Sequence, residues 1–441
     1  MISDAVYAFE SMLQLASHSS LSHLAVKFFP FVMLVEMPLY LLVLSGLIRF
    51  GLQRQMRRPN RLRHPAVTCI ITCYSEGLDV QRTIRSLVHQ NYPGQIDIIP
   101  VIDGAIQNAN TLAAARACQA EFTNVARRRV IVLPKWQRGG RVSSLNTGLS
   151  LAKGEVVMAL DGDTSFDTDM VSQATKHFDN PNVVGVAGAL RVRNVAKSLV
   201  TRLQGLEYAL SISAGRSGLS QYNLVTNISG AFGVFRTSFL RGIGGWDSGT
   251  AEDLDLTLRI KQYFGRHRDL RIVFEPHAVG HTDTPDTFHG FYRQRLRWEG
   301  DLFYVYVRKY MRNIRPSLLG WGNTLFVLVG GLFMQIVMPF IIIGYTVLMI
   351  WSLPAGTVLG LSAFIYLFYL MAVSVTYLTY LITISERKRE DLRFLAVLPL
   401  LPLFAFSCRV HSAFAILQEI LLRTHLDSAM APWWVLRKTR F

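Results

Sequence analysis

The chain contains few cysteines: only Cys69, Cys73, Cys118 and Cys408 among 441 residues. Cys69 and Cys73 have no nearby histidine and no second cysteine pair, which argues against the ligand sets of a structural zinc site. Three of the four thiols fall in a segment predicted to be cytosolic, where thiols stay reduced. The sequence therefore predicts that the cysteines act as small buried apolar side chains.

Charged residues are also scarce, and acidic residues are outnumbered by basic ones. Charged residues make up 17% of the chain, and 30 acidic against 46 basic residues give a formal net charge of +16. Half of the residues are apolar, which excludes an ordinary soluble enzyme of this size. A basic excess can indicate nucleic acid, anionic lipid or an anionic substrate. Because the basic residues cluster beside apolar segments, we predict a membrane protein and no nucleic-acid partner.

The N-terminus lacks the marks of a signal peptide. Residues 1–23 have neither a basic n-region nor a small-residue cleavage site. Residues 24–50 are apolar and long enough to span a bilayer, although Lys27 and Glu36 interrupt them, and a deep Glu36 needs a partner. Arginines crowd 49–63, and positive flanks stay in the cytoplasm. We therefore predict one transmembrane helix over 24–50 and a short extracytoplasmic segment over 1–23.

Residues 51–300 are predicted to form a soluble α/β domain. Short β-branched apolar runs alternate with helical patterns, which is typical of a mostly parallel sheet covered by helices on both faces. Ligands bind such sheets outside the carboxyl ends of the strands, where Asp103 and Asp161 fall. The predicted strands are Val67–Cys73, Ile96–Ile102, Val130–Leu133 and Val156–Leu160.

Two further segments have the pattern of amphipathic helices lying on a membrane surface. Residues 199–210 carry apolar residues at helical spacing, and 301–322 mix aromatic with basic residues. Such helices would hold the soluble domain against the inner leaflet.

A C-terminal membrane region is predicted over 323–424, followed by a basic tail over 425–441. Leu325–Trp351 and Val358–Ile384 are clear spans. The remaining segment, Phe394–Leu422, either crosses or re-enters the membrane. The positive-inside rule places the basic tail in the cytoplasm, whereas a single further crossing would place it outside. Both alternatives stay open, and the chain is predicted to be a multi-pass plasma-membrane protein with a cytosolic domain.

The triplet Asp161-Gly162-Asp163 follows a predicted strand. A leaving nucleoside diphosphate needs its negative charge neutralised, and a divalent cation held by carboxylate oxygens does this. Asp is also a common turn residue, so the triplet alone is a weak signal. Its position at the strand end favours a site for Mg²⁺ or Mn²⁺ formed by Asp161 and Asp163.

Two later motifs each have a functional and a structural interpretation. Glu252-Asp253 precedes a helical pattern, so the pair is either a helix start or a catalytic carboxylate site, and both can hold. Gln294-Arg295-Leu296-Arg297-Trp298 is either a basic interfacial helix with a Trp at headgroup depth or a diphosphate-binding element.

The ordered set of motifs resembles the processive family-2 glycosyltransferases. This group contains cellulose, chitin, hyaluronan and poly-N-acetylglucosamine synthases, and its signature is similar to the pentapeptide ending at Trp298. The resemblance covers roughly 65–320 and implies a GT-A-type nucleotide-sugar domain flanked by transmembrane and interface helices. It identifies Asp253 as the base that takes a proton from the acceptor hydroxyl, with Glu252 beside it.

The resemblance also implies a donor site and an acceptor site. Trp298, Phe232 and Trp246 are expected at the acceptor. Donor contacts are expected from Tyr74, Glu76, Asp103, Arg141, Asp161, Gln294, Arg295 and Arg297. Among these, Arg141 stands where the family usually has Lys, and Arg295 and Arg297 are suited to the diphosphate.

Three functions remain open at this stage. The first is a processive inverting synthase that uses UDP-N-acetylglucosamine, or else UDP-glucose, and extrudes the polysaccharide through the bilayer. The second is a non-processive transferase acting on a lipid carrier. The third is a catalytically silent receptor or regulatory subunit, which the departures from the family pattern at Ser75, Ile102, Arg141 and Ala251 keep open. Any regulation or export function is expected to come from a separate small subunit.

Overall fold

A nine-stranded sheet forms the centre of the computed structural model, which describes residues 3, 6, 7, 10, 11, 35–56, 63–247 and 251–423. The predicted N-terminal segment 1–23, the first part of the predicted span over 24–50 and the tail over 425–441 lie largely or wholly outside the described residues. The strands are β1 (Val67–Cys73), β2 (Ile96–Asp103), β3 (Arg128–Val130), β4 (Leu133–Lys135), β5 (Val156–Asp161), β6 (Ser165–Phe166), β7 (Val183–Val192), β8 (Phe232–Arg236) and β9 (Arg271–Thr282).

The sheet is mixed, with parallel pairings in the majority. The strand order is β3-β2-β1-β5-β8-β7-β9-β6, and β4 pairs with β2. Five pairings are parallel (β1–β2, β1–β5, β2–β3, β2–β4 and β7–β9). Three are antiparallel (β5–β8, β7–β8 and β6–β9). Every residue of β1 and β2 is buried, as expected for strands covered on both faces. The predicted α/β architecture is confirmed.

One predicted strand is divided in two. The run Val130–Leu133 is wrong as a single strand: β3 ends at Val130 and β4 begins at Leu133. β3 pairs with the start of β2 and β4 with its end. The gap lies opposite Ile99 and Pro100 of β2. Because proline has no N–H, Pro100 cannot donate a hydrogen bond to a neighbouring strand at this point.

Helices cover both faces of the sheet and continue into a bundle of long apolar helices. Besides residues 35 and 36, three segments of the described chain have π-helical geometry: π1 (Tyr208–Gly215), π2 (Tyr304–Lys309) and π3 (Val327–Val337). The α-helices are α1 (Met37–Met56), α2 (Asp79–Val88), α3 (Ala109–Glu121), α4 (Gly140–Leu151), α5 (Met170–Thr175), α6 (Leu199–Glu207), α7 (Arg216–Ser220), α8 (Thr237–Gly242), α9 (Glu252–Lys261), α10 (Phe288–Phe303), α11 (Pro316–Leu319), α12 (Trp321–Phe326), α13 (Met338–Ser352), α14 (Ala355–Thr383), α15 (Lys388–Asp391) and α16 (Leu401–Leu422).

Three continuous helical stretches among the described residues have the length and apolar composition needed to cross a membrane: Trp321–Ser352, Ala355–Thr383 and Leu398–Leu422. The first two coincide with the two clear predicted spans. The third forms a helix over the segment whose path the sequence left open. The described part of the predicted N-terminal span is α1, whose end lies six residues beyond the predicted boundary at residue 50.

The two predicted surface helices are built differently from the expectation. The stretch 301–322 is not one helix: α10 ends at Phe303, π2 follows and ends at Lys309, and the short helix α11 lies between π2 and α12. Pro316 has no N–H and Gly320 has φ 75°, so an α-helix cannot continue through them. The segment 199–210 comprises α6 and the start of π1. Leu203 and Leu206 are buried in a cluster that also contains Tyr377 and Leu381 of α14, whereas Leu199 is 45% exposed.

Polar contacts join the membrane helices to each other and to the sheet domain. Tyr369 of α14 donates a hydrogen bond to Glu36, which supplies the partner that Glu36 needs. Beyond α14 the chain turns back onto the domain, where Arg387 donates to both carboxylate oxygens of Asp167 at 2.7 Å. Arg191 of β7 pairs with the buried Asp391. The end of α14 is thereby fixed to the domain.

Candidate functional site

A cavity of about 890 Å³ opens at the carboxyl ends of β1 and β5. Its wall continues past α4, α9 and α10 to all three π segments, where Gly330, Gly331 and Gln335 of π3 line it. π-helical turns are rare and occur frequently at functional sites. The cavity brings together most of the predicted site residues: Tyr74, Glu76, Asp103, Arg141, Asp161, Asp163, Glu252, Asp253, Gln294, Arg295, Arg297 and Trp298.

The two aspartates of the predicted metal site lie at the end of β5. Burial and the neighbouring Asp161 raise the pKa of Asp163 to about 6. Glu76 lies close by, and burial raises its pKa to about 7. Its Oε2 is buried and has no hydrogen-bond partner among the described residues. These oxygen donors fit a hard divalent cation. No group of three or more potential ligands surrounds one point in the described part of the chain, so diphosphate and water would complete the coordination shell.

Arg141 lies between the metal pair and Glu252. Its Nε donates to Glu252 Oε1 at 2.5 Å and its Nη1 to Asp161 and to Thr72 Oγ1, while Nη2 donates to the Gly230 carbonyl at 2.6 Å. Burial alone would lower the pKa of Arg141, but the two carboxylates outweigh burial and hold it above its usual value. Burial raises the pKa of Glu252 to about 7 even beside this cation. Arg141 thus joins the metal site to the predicted catalytic pair.

Asp253 is fixed by three hydrogen bonds at the start of α9. Its Oδ2 accepts from Asn227 Nδ2 at 2.9 Å and from the Gly230 backbone N–H at 3.0 Å, and its Oδ1 accepts from the Leu254 N–H at 2.7 Å. The carboxylate therefore has one orientation on the cavity wall. The helix-start and catalytic interpretations of Asp253 are compatible, because this geometry serves both.

Asp103 is bonded within the protein. Its oxygens accept from the backbone N–H groups of Gly139 and Gly140 at 2.9 and 2.8 Å and from Lys135 Nζ at 2.8 Å. Asp103 therefore holds the loop that precedes α4 and so positions Arg141. The predicted contact of Asp103 with the nucleoside stays a prediction, because both of its carboxylate oxygens already accept hydrogen bonds within the protein.

Tyr74 lies at the predicted nucleotide end of the cavity. The guanidinium carbon of Arg138 is 4.2 Å from the centroid of its ring. The sequence interpretation missed Arg138 and Lys135 as site residues. The sequence shows basic residues beside the glycine pair at 139 and 140. Only the folded loop shows that Arg138 contacts Tyr74 and that Lys135 contacts Asp103.

The pentapeptide lies on α10. Gln294 Oε1 is buried without a partner among the described residues, Arg297 is half-buried, and Trp298 is 36% exposed; all three line the cavity. Arg295 also lines the cavity and is paired within the protein. Its Nη2 donates to both oxygens of Glu207 at 2.6 Å, and its guanidinium lies 4.8 Å from the Trp298 ring centroid. These contacts hold Arg295 against α6 and Trp298, and its predicted contact with the diphosphate stays a prediction.

Two predicted acceptor residues belong to the core, and that prediction is wrong. Phe232 is fully buried against Phe166, with ring centroids 5.3 Å apart. A Cβ on Gly188 would come within 1.9 Å of the Phe232 ring, so this glycine makes room for the phenylalanine rather than for a sugar. Trp246 is 4% exposed and packs edge-on against Phe235. The glycine–aromatic pattern of this region therefore reflects sheet packing.

This correction predicts the effect of Phe232→Ala. Removing a fully buried phenylalanine should lower the free energy of unfolding by about 3–5 kcal/mol, seen as a lower unfolding temperature in detergent. Trp298→Ala, at a partly exposed position, should leave the unfolding temperature near that of the wild type. A stable Phe232→Ala protein with a selectively raised KM for the acceptor would restore the acceptor assignment.

Comparison with known proteins agrees with this geometry. The family model described as glycosyltransferase like family 2 matches residues 64–300, more than half of the chain. The chain belongs to this family. The family-2 domain is 29% identical over 255 residues to a poly-β-1,6-N-acetyl-D-glucosamine synthase of Staphylococcus epidermidis, covering 57% of this chain and 58% of that protein. A synthase of the same name from Staphylococcus aureus strain COL is 26% identical over 300 residues, covering 66% and 69%. The chain thus spans little more than half of the first relative.

The fold of the chain also matches a solved structure. A mannosyltransferase from Pyrobaculum calidifontis, in complex with GDP-mannose and Mn²⁺, aligns with a TM-score of 0.51 and 16% identity over 87% of this chain and 99% of that one. This likeness shows a GT-A fold, as predicted.

Proposed function

We propose that the chain is a processive inverting glycosyltransferase that polymerises a UDP-activated sugar, with UDP-N-acetylglucosamine as the first choice of donor and UDP-glucose as the second. The observation that supports this best is that one cavity is lined by the fixed carboxylate of Asp253, by the acidic pair suited to a metal, by Trp298 and by residues of the membrane helices. The names of the relatives favour N-acetylglucosamine.

The proposed reaction uses the side chains as follows. Asp253 accepts the proton of the acceptor hydroxyl as that oxygen bonds to the anomeric carbon, and the bond from this carbon to the UDP oxygen breaks on the opposite face. Asp161 and Asp163 would hold a divalent cation, which supplies charge neutralisation for the leaving diphosphate. Arg297 adds positive charge at the same place. Trp298 presents a flat face to the terminal acceptor sugar.

We further propose that the polymer leaves toward the membrane helices, with the domain on the cytosolic side. The cavity wall reaches Gln335 of π3, in the first of the three apolar stretches. A second cavity of about 170 Å³ follows, bounded by Glu207, Glu299, Gln335 and Arg409 among others. Polar groups at this depth can replace water around sugar hydroxyls.

The direct test is UDP release from the full chain in lipid, across a panel of UDP-sugars, followed by sizing of the product. A long product from one donor supports the proposal. A single sugar on a lipid carrier would mean a non-processive transferase. Tight UDP binding without turnover of any donor would mean a receptor or regulatory role.

Metal removal should abolish UDP release, and added Mg²⁺ or Mn²⁺ should restore it. Asp163→Asn should raise the cation concentration needed for half-maximal activity many-fold, because a neutral amide is a weaker ligand for a hard cation. Asp97→Asn is the matched control, because Asp97 lies near the start of β2, pairs with Arg129 and does not line the cavity. Full activity in excess EDTA would refute the metal site.

A further inference from the structure

Lys261 is a buried cation in the wall of the catalytic cavity. It is the last residue of α9, is 2% exposed, and is one of the residues that line the cavity. Within the described residues no carboxylate pairs with its ammonium group and no acceptor hydrogen-bonds to it. The ring centroid of Phe326 lies 5.9 Å from its Nζ. Burial alone lowers the pKa of Lys261 to about 7.

An unpaired buried ammonium group is costly, because it loses water without gaining a partner. Other lysines of this region do have partners. Lys309 of π2 pairs with Asp255 of the same α9 helix at 2.7 Å, and Lys135 pairs with Asp103. Lys261 therefore differs from its neighbours, and a ligand that enters the cavity is the natural source of its missing partner.

The position of Lys261 limits which part of a ligand can reach it. Lys261 follows Asp253 by eight residues on α9, which is about 12 Å along the helix axis. This separation of the two backbone positions exceeds one sugar ring, which favours a contact between Lys261 and a sugar behind the one whose hydroxyl meets Asp253. The neighbouring wall is apolar: Tyr306 packs against Gly331, and Phe326 lies over Gly330.

We infer that Lys261 is a specificity-determining residue that donates a hydrogen bond to the acetamido carbonyl oxygen of a sugar in the acceptor chain. The inference rests on the proposed function and narrows its substrate to an N-acetylated polymer. An acetamido group matches both parts of the site, because its carbonyl accepts from the ammonium and its methyl group packs on the aromatic wall. The hydroxyl of a glucose polymer offers no methyl group.

Oligosaccharide binding to the full chain in lipid nanodiscs tests this, using β-1,6-linked pentamers of N-acetylglucosamine and of glucose. The wild type should bind the acetylated pentamer more tightly. Lys261→Met should reduce that preference roughly 10- to 100-fold, the range expected for a hydrogen bond to a charged group. Lys261→Gln, which keeps an N–H donor, should retain part of it. In turnover assays Lys261→Met should raise the acceptor KM and leave kcat near the wild-type value.

Stability and a matched lysine separate this role from a structural one. Lys261→Met should unfold at the same or a higher temperature, since it removes an unpaired buried charge. Lys309→Met should unfold at a lower temperature, because it breaks a buried ion pair, and should leave the sugar preference unchanged. Equal binding of both pentamers by the wild type, or an unchanged preference in Lys261→Met, would overturn the inference.

A third ligand tests whether Lys261 instead binds a carboxylate of an acidic polymer. Tighter binding of a glucuronate-containing pentamer than of the acetylated one would assign Lys261 to a carboxylate and also overturn the inference. These measurements need no turnover. The donor panel decides the proposed function, and pentamer binding decides the role of Lys261.

Discussion

Asp253→Asn should lower the rate of UDP release about 10²- to 10⁴-fold, the usual contribution of a positioned general base. The amide keeps the size of the side chain but cannot take the proton of the acceptor hydroxyl. UDP affinity should change little, because the carboxylate bonds to Asn227, Gly230 and Leu254 rather than to the diphosphate-binding groups. Steady-state UDP release and calorimetric UDP binding measure the two quantities separately.

The control is Asn227→Ala, which removes one of the three hydrogen bonds that orient Asp253. Its loss of rate should be smaller, because the base remains and two bonds still hold it. Polymer synthesis at the wild-type rate by a folded Asp253→Asn protein would assign the base elsewhere.

Arg141→Met should destabilise the protein by about 3–5 kcal/mol, the cost of removing one partner from a buried ion pair. The substitution leaves Asp161 and Glu252 without the cation that lies between them, and removes the bonds to Thr72 and the Gly230 carbonyl. The unfolding temperature and UDP release should both fall. Thermal unfolding followed by tryptophan fluorescence checks the first expectation.

Arg141→Lys distinguishes charge from geometry. Lysine restores the positive charge, but a single ammonium cannot reach all four partners at once. Its stability should therefore lie between those of the wild type and Arg141→Met. A methionine variant as stable as the wild type would show that the two carboxylates are protonated or paired without Arg141.

The first part of the sheet, up to β5, could be predicted because its strands are short, apolar and bounded by turns, whereas β6 to β9 were not predicted. β1 matches its predicted bounds, and β2 and β5 each extend one residue further, to the aspartate that was expected just past the strand end. The division of β3 from β4 could not be predicted, because it depends on which strand faces Pro100. Likewise, the aromatic and basic pattern over 301–322 predicted one helix, whereas Pro316 and Gly320 interrupt it.

The acidic part of the site could be predicted for a similar reason: strand ends in a parallel sheet meet at one edge. Which aromatic residues face the cavity depends on side-chain packing. Phe232 lies on a strand whose neighbour carries Gly188, 44 positions earlier in the chain, and no local pattern links the two. The same holds for Lys261, which ends an ordinary helical pattern. Only the fold shows that its ammonium lacks a partner.

The π-helical wall has a consequence for the evolution of the cavity. A π turn closes its hydrogen bond one residue later than an α turn, so each such segment can absorb an inserted residue without disturbing the helices on either side. Removing one residue from 327–337 would restore α-helical spacing within the segment and change which of its side chains face the cavity, while the helices on either side keep their positions. Gln335 would then leave the wall. Relatives with a narrower cavity are thus expected to lack one residue in the segment that corresponds to 327–337. The width of the cavity would then depend on insertions and deletions in this helix as well as on substitutions.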